Sequence, residues 1–280
     1  MSEWYRTPHY AAPPLDPAEP LSVRVLVTGL SPLVPSATYG AMTTIVGLCL
    51  DEPRFWIRFD EVEAHPLGAV AGLRRHDVVR AVVEPDHTDP RPESWKIQNG
   101  SLIVERHTDR TSRRSNHLDR RAEWSMCDLQ SANADRRDGP APTPARSLAL
   151  VRVAALHAVT VGRAAPPTPA EEWSLTEWRR GGAELLDMAI LDQLTRPRFT
   201  LSYHYRCAHP NCRTHRQQLR DRDVVAFQQR HARLPDRALW RALVDEFWSP
   251  LLQPGRRVAL LVGNRRDRPD VFDVLASTVR

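Results

Sequence analysis

Hydrophobic and polar positions begin to alternate at Leu21, and from there the pattern marks a series of short strands. Val23 to Val27 is β-branched, Thr43 to Leu50 is almost wholly apolar, and Phe55 to Phe59 alternates around Trp56 and Arg58. Val78 to Val83 and Leu102 to Val104 add two more segments, with Pro, Gly and Asp clusters supplying turns between them. Short strands in this density, with no long amphipathic helix among them, predict a small closed β-barrel of the OB or SH3-like kind over 21–107. A half-open sandwich is the alternative.

Between 108 and 146 the chain turns rich in Arg, Asp and Ser and ends in Gly139-Pro-Ala-Pro-Thr-Pro144. Little of it beyond Trp124, Met126 and Leu129 can offset backbone ordering by burial, so this stretch reads as a linker or insertion. A second lobe then fills 147–280. Leu148 to Val161 is a strand run, and Ala170 to Leu194 has helical spacing weakened by Gly181-Gly182. Arg198 to Arg206 alternates strictly, with Phe199, Leu201, Tyr203 and Tyr205 on one side. Two helices follow, over Val224 to Arg230 and Arg237 to Trp248, the second expected to be capped by Asp236. Two strands, Val258 to Val262 and Val271 to Leu275, close the chain around a polar turn. The fold class is therefore α+β: an N-terminal OB-like barrel plus a second β-rich lobe with helices and a zinc-knuckle-like loop.

Composition changes the picture in one respect. Lys+Arg is 39 against Asp+Glu 34, and the only lysine is Lys96, so the net charge of +5 is carried by arginine. Guanidinium suits phosphate and stacked bases better than ammonium does, although codon bias in a GC-rich genome produces the same skew. Residues 1–20 hold five prolines and no apolar core, which excludes a signal peptide or anchor there and predicts a flexible arm on a cytoplasmic chain with no membrane partner. Four cysteines are too few for a disulfide scaffold of this size.

The most specific chemistry lies in Tyr205-Arg-Cys207-Ala-His-Pro-Asn-Cys212-Arg-Thr-His215. Two thiols and an imidazole within nine residues form the mixture that zinc prefers. Cys207, Cys212 and His215 are the expected ligands. His209 is the fourth candidate nearest in sequence, while His204, His231 and Cys127 would need the fold to bring them in. Four protein ligands would make the zinc structural, and three plus water would leave it open for catalysis. No Glu lies in the knuckle to act as a base, and the deaminase pattern of His-x-Glu with Pro-Cys-x-x-Cys is absent.

Candidate nucleic-acid contacts are Arg91, Trp95 and Lys96 in the turn-rich stretch before Gly100, Arg206, Arg213 and Arg216 around the knuckle, and Arg265, Arg266 and Arg268 at the last turn. For Arg91 the competing reading is an ion pair pinning its loop, for Trp95 a buried ring, and for Trp56 a place in the core. Arg110 to Arg121 alternates with acids and reads as a solvated face.

Pro35-Ser-Ala-Thr-Tyr39, Trp56-Ile-Arg-Phe59 and Asp89-Pro-Arg-Pro-Glu-Ser94, followed by Cys207, Cys212, His215, Gln217 and Val262-Gly-Asn264, resemble in order a family of bacterial proteins that contain a dual OB domain. Relatives carry a cysteine near Val46-Gly47 and a tryptophan after Asp221, whereas this chain has Cys49 and Arg222. The resemblance implies two OB-like barrels, and some such proteins belong to bacterial conflict or defence systems; it implies no established activity. The leading expectation is a single-stranded nucleic-acid-binding sensor or accessory protein of a DNA-modification or phage-defence locus. The alternatives are a metal-dependent hydrolase or nuclease using Asp89 and Glu93, and a protein-interaction subunit whose protein partner supplies any chemistry.

Overall fold

Val23, Val25 and Val27 point into the interior of the first sheet and Arg24, Leu26 and Thr28 point away from it, so the period-2 pattern of the first strand sets two surfaces at once. The computed structural model of the chain describes residues 19–36, 40–52, 54–64, 70, 72–107, 124–134, 146–182, 194 and 196–279. The expected flexible arm and the arginines from 110 to 121 lie outside the described residues. The strand β1 (Leu21–Leu30) pairs antiparallel with β3 (Gly40–Cys49) and β5 (Val78–Pro85), and β4 (Trp56–Glu63) pairs with β3. β6 (Trp95–Ile97) and β7 (Ile103–Arg106) both pair with β5, and β2 (Val34–Ser36) edges β3. The sheet curls until β4 meets the residue before β6: the Arg58 N–H donates to the Glu93 carbonyl at 2.7 Å, next to a parallel bridge between Arg58 and Ser94. Gly47 permits the tight β1–β3 crossing, because a Cβ there would lie 2.3 Å from Val25 Cγ1 and 2.7 Å from the Leu26 carbonyl oxygen. Ile45, Ile57, Phe59 and Val79 fill the interior.

The second lobe is a closed barrel of order β10-β12-β11-β8-β9, where β8 is Leu148–Arg163, β9 Phe199–Cys207, β10 His215–Leu219, β11 Val258–Asn264 and β12 Phe272–Val279. Irregularities at Val153/Ala155 and Leu156/Ala158 let the 16-residue β8 bend around the barrel. Four α-helices lie among the described residues: α1 (Met126–Ala134), α2 (Pro169–Gly182), which packs against β2 of the first lobe, α3 (Arg222–Arg230) and α4 (Asp236–Phe247). Asp221 caps α3 by accepting the Asp223 N–H at 3.0 Å. Asp236 does not cap α4. Pro235 holds that position without a side-chain bond, and Asp236, the first helical residue, pairs instead with Arg163 and with Arg198 at 2.9 Å. The segment read as linker contains α1, whose Met126 and Leu129 are fully buried in the second barrel's core.

The five strands of the closed barrel, taken in chain order, neighbour one another as first, second, third, fifth, fourth, and β1, β3, β4, β5 and β6 of the curled first sheet follow the same order, β4 meeting Ser94 just before β6. The third and fifth strands run parallel in each, as β4 with Ser94 before β6 and as β10 with β12. A third apolar cluster joins the lobes, with Leu26, Val46, Leu48 and Trp56 packed against Leu148, Leu150, Leu261 and Ala276. Trp56 is thus buried between the lobes rather than inside its own curled sheet.

Several arginines cross this seam, and two of them, Arg58 and Arg222, do so in opposite directions with buried side chains. Arg58 donates to the Asn264 carbonyl at 3.0 Å and the Ser147 carbonyl at 3.1 Å. Arg222 reaches back to Thr43 Oγ1 at 3.0 Å. Glu93 accepts from Ser147 N at 3.1 Å and from Ser147 Oγ at 2.6 Å.

Candidate metal centre and basic strand face

Antiparallel pairing of β9 with β10 brings the end of one strand beside the start of the next, with His215 opposite Tyr205 and Cys207 just beyond. The connecting turn is closed by Cys212 N–H donating to the His209 carbonyl at 3.0 Å and by Cys207 N–H donating to Cys212 Sγ at 3.4 Å. Cys127 arrives from the first turn of α1, where Ser125 Oγ accepts the Asp128 N–H at 3.0 Å and Trp124 bridges to Val151 of β8. The donor atoms of Cys127, Cys207, Cys212 and His215 all lie within 4.8 Å of one another. Cys127 Sγ is 3.7 Å from Cys207 Sγ and 3.4 Å from His215 Nε2. Tetrahedral zinc, with bonds of about 2.3 Å to sulfur and about 2.0–2.1 Å to nitrogen, sets donors about 3.5–3.8 Å apart. This group can hold a metal ion.

Burial, then the adjoining Cys207 and Cys212, pushes the Cys127 thiol up to about 12. Burial also raises Cys212. For Cys207 burial acts upward too, but backbone N–H groups of His209 and Cys127 outweigh it and leave the thiol below its ordinary value. Burial lowers His215 and so favours the neutral imidazole that a metal requires.

His209 is not the fourth donor. Its Nδ1 accepts the Asn211 N–H at 3.2 Å, and its Nε2 is 3.8 Å from Asp128. His204 bonds Thr160 and His231 bonds the Phe227 carbonyl. Cys127, 80 residues from its nearest cluster partner in sequence, had no spacing signal. The trace available was the apolar trio Trp124, Met126 and Leu129 in an otherwise polar stretch.

Outward from β9 and β10 stand Thr200, Ser202, His204, Arg206, Arg216 and Gln218, with His204 opposite Arg216 and Ser202 opposite Gln218. Arg206, Arg213 and Arg216 are exposed, and Arg206 Nε donates to the Cys212 carbonyl at 3.1 Å. Among the described residues none of the three has an acidic partner within ion-pair distance.

The other predicted contacts are placed differently. Arg91 is only 7 % exposed, bonded to Asp89, Asp60 and the Asn264 carbonyl, so it is the ionic tie of its loop. Trp95, 2 % exposed, packs against Phe55 with ring centroids 5.6 Å apart and offers no face for stacking. Lys96 pairs with Asp86 at 3.1 Å, Arg265 grips Asp273 through two bonds, and Arg266 donates to the Thr88 carbonyl at 2.6 Å. Arg268 is exposed. Asp89 and Glu93 are both engaged in buried bonds; burial raises Glu93 despite the Ser147 donors, and burial followed by Arg91 lowers Arg58 to about 10.

Residues 122–278 match the domain of unknown function DUF8757, and residues 22–138 match a second, DUF8758; the two overlap across α1. No curated protein matches the chain. It is similar to a solved structure of a murine DNA-binding protein bound with double-stranded DNA, at 9% identity over 94% of each chain, but the TM-score of 0.28 is too low for that likeness to bear on fold or ligand. No helix among the described residues is long and apolar enough to cross a membrane.

Proposed function

We propose a single-stranded nucleic-acid-binding function for this chain, which belongs to the DUF8757 family. The shared cyclic strand order, with its one parallel pair, is that of the five-stranded Greek-key OB barrel, so we read the molecule as two OB-type barrels. In such barrels the second and third strands and the adjoining loops take up oligonucleotides. In the second barrel these strands are β9 and β10, and the observation that carries the reading is their open face with Arg206, Arg213 and Arg216 free of acidic partners among the described residues.

His204 is the one ring on the outward side of β9 and β10, so phosphate contacts supply most of the affinity and base stacking little. A sensor or accessory role in a DNA-modification or defence locus fits a protein that grips a strand without cutting it. The Cys127, Cys207, Cys212 and His215 donors suit zinc in a structural role beside this face.

Anisotropy of a labelled single-stranded oligonucleotide, titrated at several salt concentrations, tests the proposal. Three phosphate contacts predict a log–log slope of about 2, falling by roughly 0.7 for each of Arg213→Ala and Arg216→Ala. Absence of binding at low ionic strength, or a slope that both variants leave unchanged, would overturn it.

A further inference from the structure

Three pieces of chain supply the four donors: α1 gives Cys127, the end of β9 and its turn give Cys207 and Cys212, and the start of β10 gives His215. The α1 ligand comes from the stretch that both family matches share. Nine residues make a helix too short to persist by its own backbone bonds, so α1 depends on what holds it to the barrel. Its fully buried apolar side chains are Met126 and Leu129 alone, with Trp124 and Cys127 packed partly buried against the same core, Asn133 Nδ2 donating to the Arg146 carbonyl at 3.1 Å and Gln217 Nε2 standing 3.1 Å from the Met126 sulfur.

We infer that Cys127, Cys207, Cys212 and His215 form a closed four-ligand site for zinc or another thiophilic divalent cation, and that this ion is the fastener that locks α1, and with it the junction of the two family units, onto the second barrel. The inference rests on the structural-zinc reading above and is independent of nucleic-acid binding. Four protein donors leave no open position for a reacting water, which separates this centre from catalytic zinc. Loading the ion forms three metal–sulfur bonds and one metal–nitrogen bond and sends the thiol protons to solvent. Because those bonds do not exist in the detached state, the ion's binding free energy becomes docking free energy for α1.

The test uses the purified full chain and reads metal and α1 directly, without oligonucleotide. Elemental analysis should find one zinc per chain, and cobalt(II) exchanged into the site should show tetrahedral bands with sulfur-to-metal charge transfer. Cys127→Ser should lower that charge transfer by about a third, as three thiolates become two, while His209→Ala leaves it unchanged. Chelation of the unmodified protein should speed amide exchange across 126–134 by at least about tenfold while β11 and β12 stay protected, and added zinc should restore it. Full charge transfer in Cys127→Ser, no cobalt uptake, or exchange in α1 that ignores chelation would each overturn the inference. Should Cys127→Ser fail to fold, the chelation and add-back arms on the unmodified protein decide the matter alone.

Discussion

The two lobes share a strand order and differ in what they do with one face. On the outward side of β1, β3 and β4 the first lobe carries Leu26, Val46, Leu48 and Trp56, all covered by the second lobe. On β9 and β10 the second carries Thr200, Ser202, His204, Arg206, Arg216 and Gln218, open to solvent in varying degree. The inward halves of both patterns are interchangeable in kind, since each needs only apolar volume. The outward halves decide whether a face becomes a seam or a binding surface. Charge follows the same division: residues 196–279 hold sixteen arginines against eight acidic side chains, so the excess cation of the chain is concentrated on the lobe whose face is open.

Removing the seam's central cation should break the comparison most severely. Arg58→Ala would take the neighbouring cation from buried Glu93 and the guanidinium donors from the buried Ser147 and Asn264 carbonyls, at a cost of about 3–5 kcal/mol in denaturant unfolding. A loss below roughly 1 kcal/mol would mean that the face is not a seam. Next, Leu48→Ala should cost about 2–5 kcal/mol, whereas Ser202→Ala on the open face should stay within about 0.5 kcal/mol. Equal penalties at the two positions would erase the distinction.

A pH effect of somewhat smaller size comes from Asp221 at the seam, whose carboxyl burial raises to about 6 even though Arg75 lies 3.4 Å away. A carboxyl raised in the folded state keeps its proton longer there than in the unfolded chain. Its contribution to stability is therefore fully present below about pH 4 and is lost as pH rises through about 6, at up to roughly 1.4 kcal/mol per unit. Asp221→Asn, which can still cap α3, should flatten the stability–pH curve over that window; an unchanged curve would locate the titration elsewhere. Smallest of all, Arg24→Ala should alter stability by less than about 1 kcal/mol, because its pair with Asp51 is exposed, and should leave oligonucleotide affinity unmoved. A drop in affinity would place a ligand on the first barrel as well.

Much of this architecture is legible in the residues. Strict alternation from Phe199 to Tyr205 announces β9, and two thiols with an imidazole inside nine residues announce three members of the Cys/His group. Short or weakly apolar pieces were not legible. β10 reads His-Arg-Gln-Gln-Leu and becomes a strand because β9 supplies its partners, while β6 is three residues inside a turn-rich stretch. α1 hid in a polar segment because three apolar side chains are too few to reveal a helix without the barrel they plug. Charge alone could not separate Arg91, consumed by Asp89 and Asp60, from Arg213, which faces water. The seam did leave a mark: Ile45 to Cys49 is apolar on both sides, the signature of a strand covered twice.

The crossed guanidinium groups of Arg58 and Arg222 carry a consequence for dissection of the molecule. Cut between residues 108 and 123, either half would bare an oily wall to water, and each would strand a cation whose acceptors sit on the other piece. The fragments should accordingly seek one another out as a one-to-one pair in dilute solution, and a truncation meant to isolate one barrel would yield an insoluble half rather than an independent module.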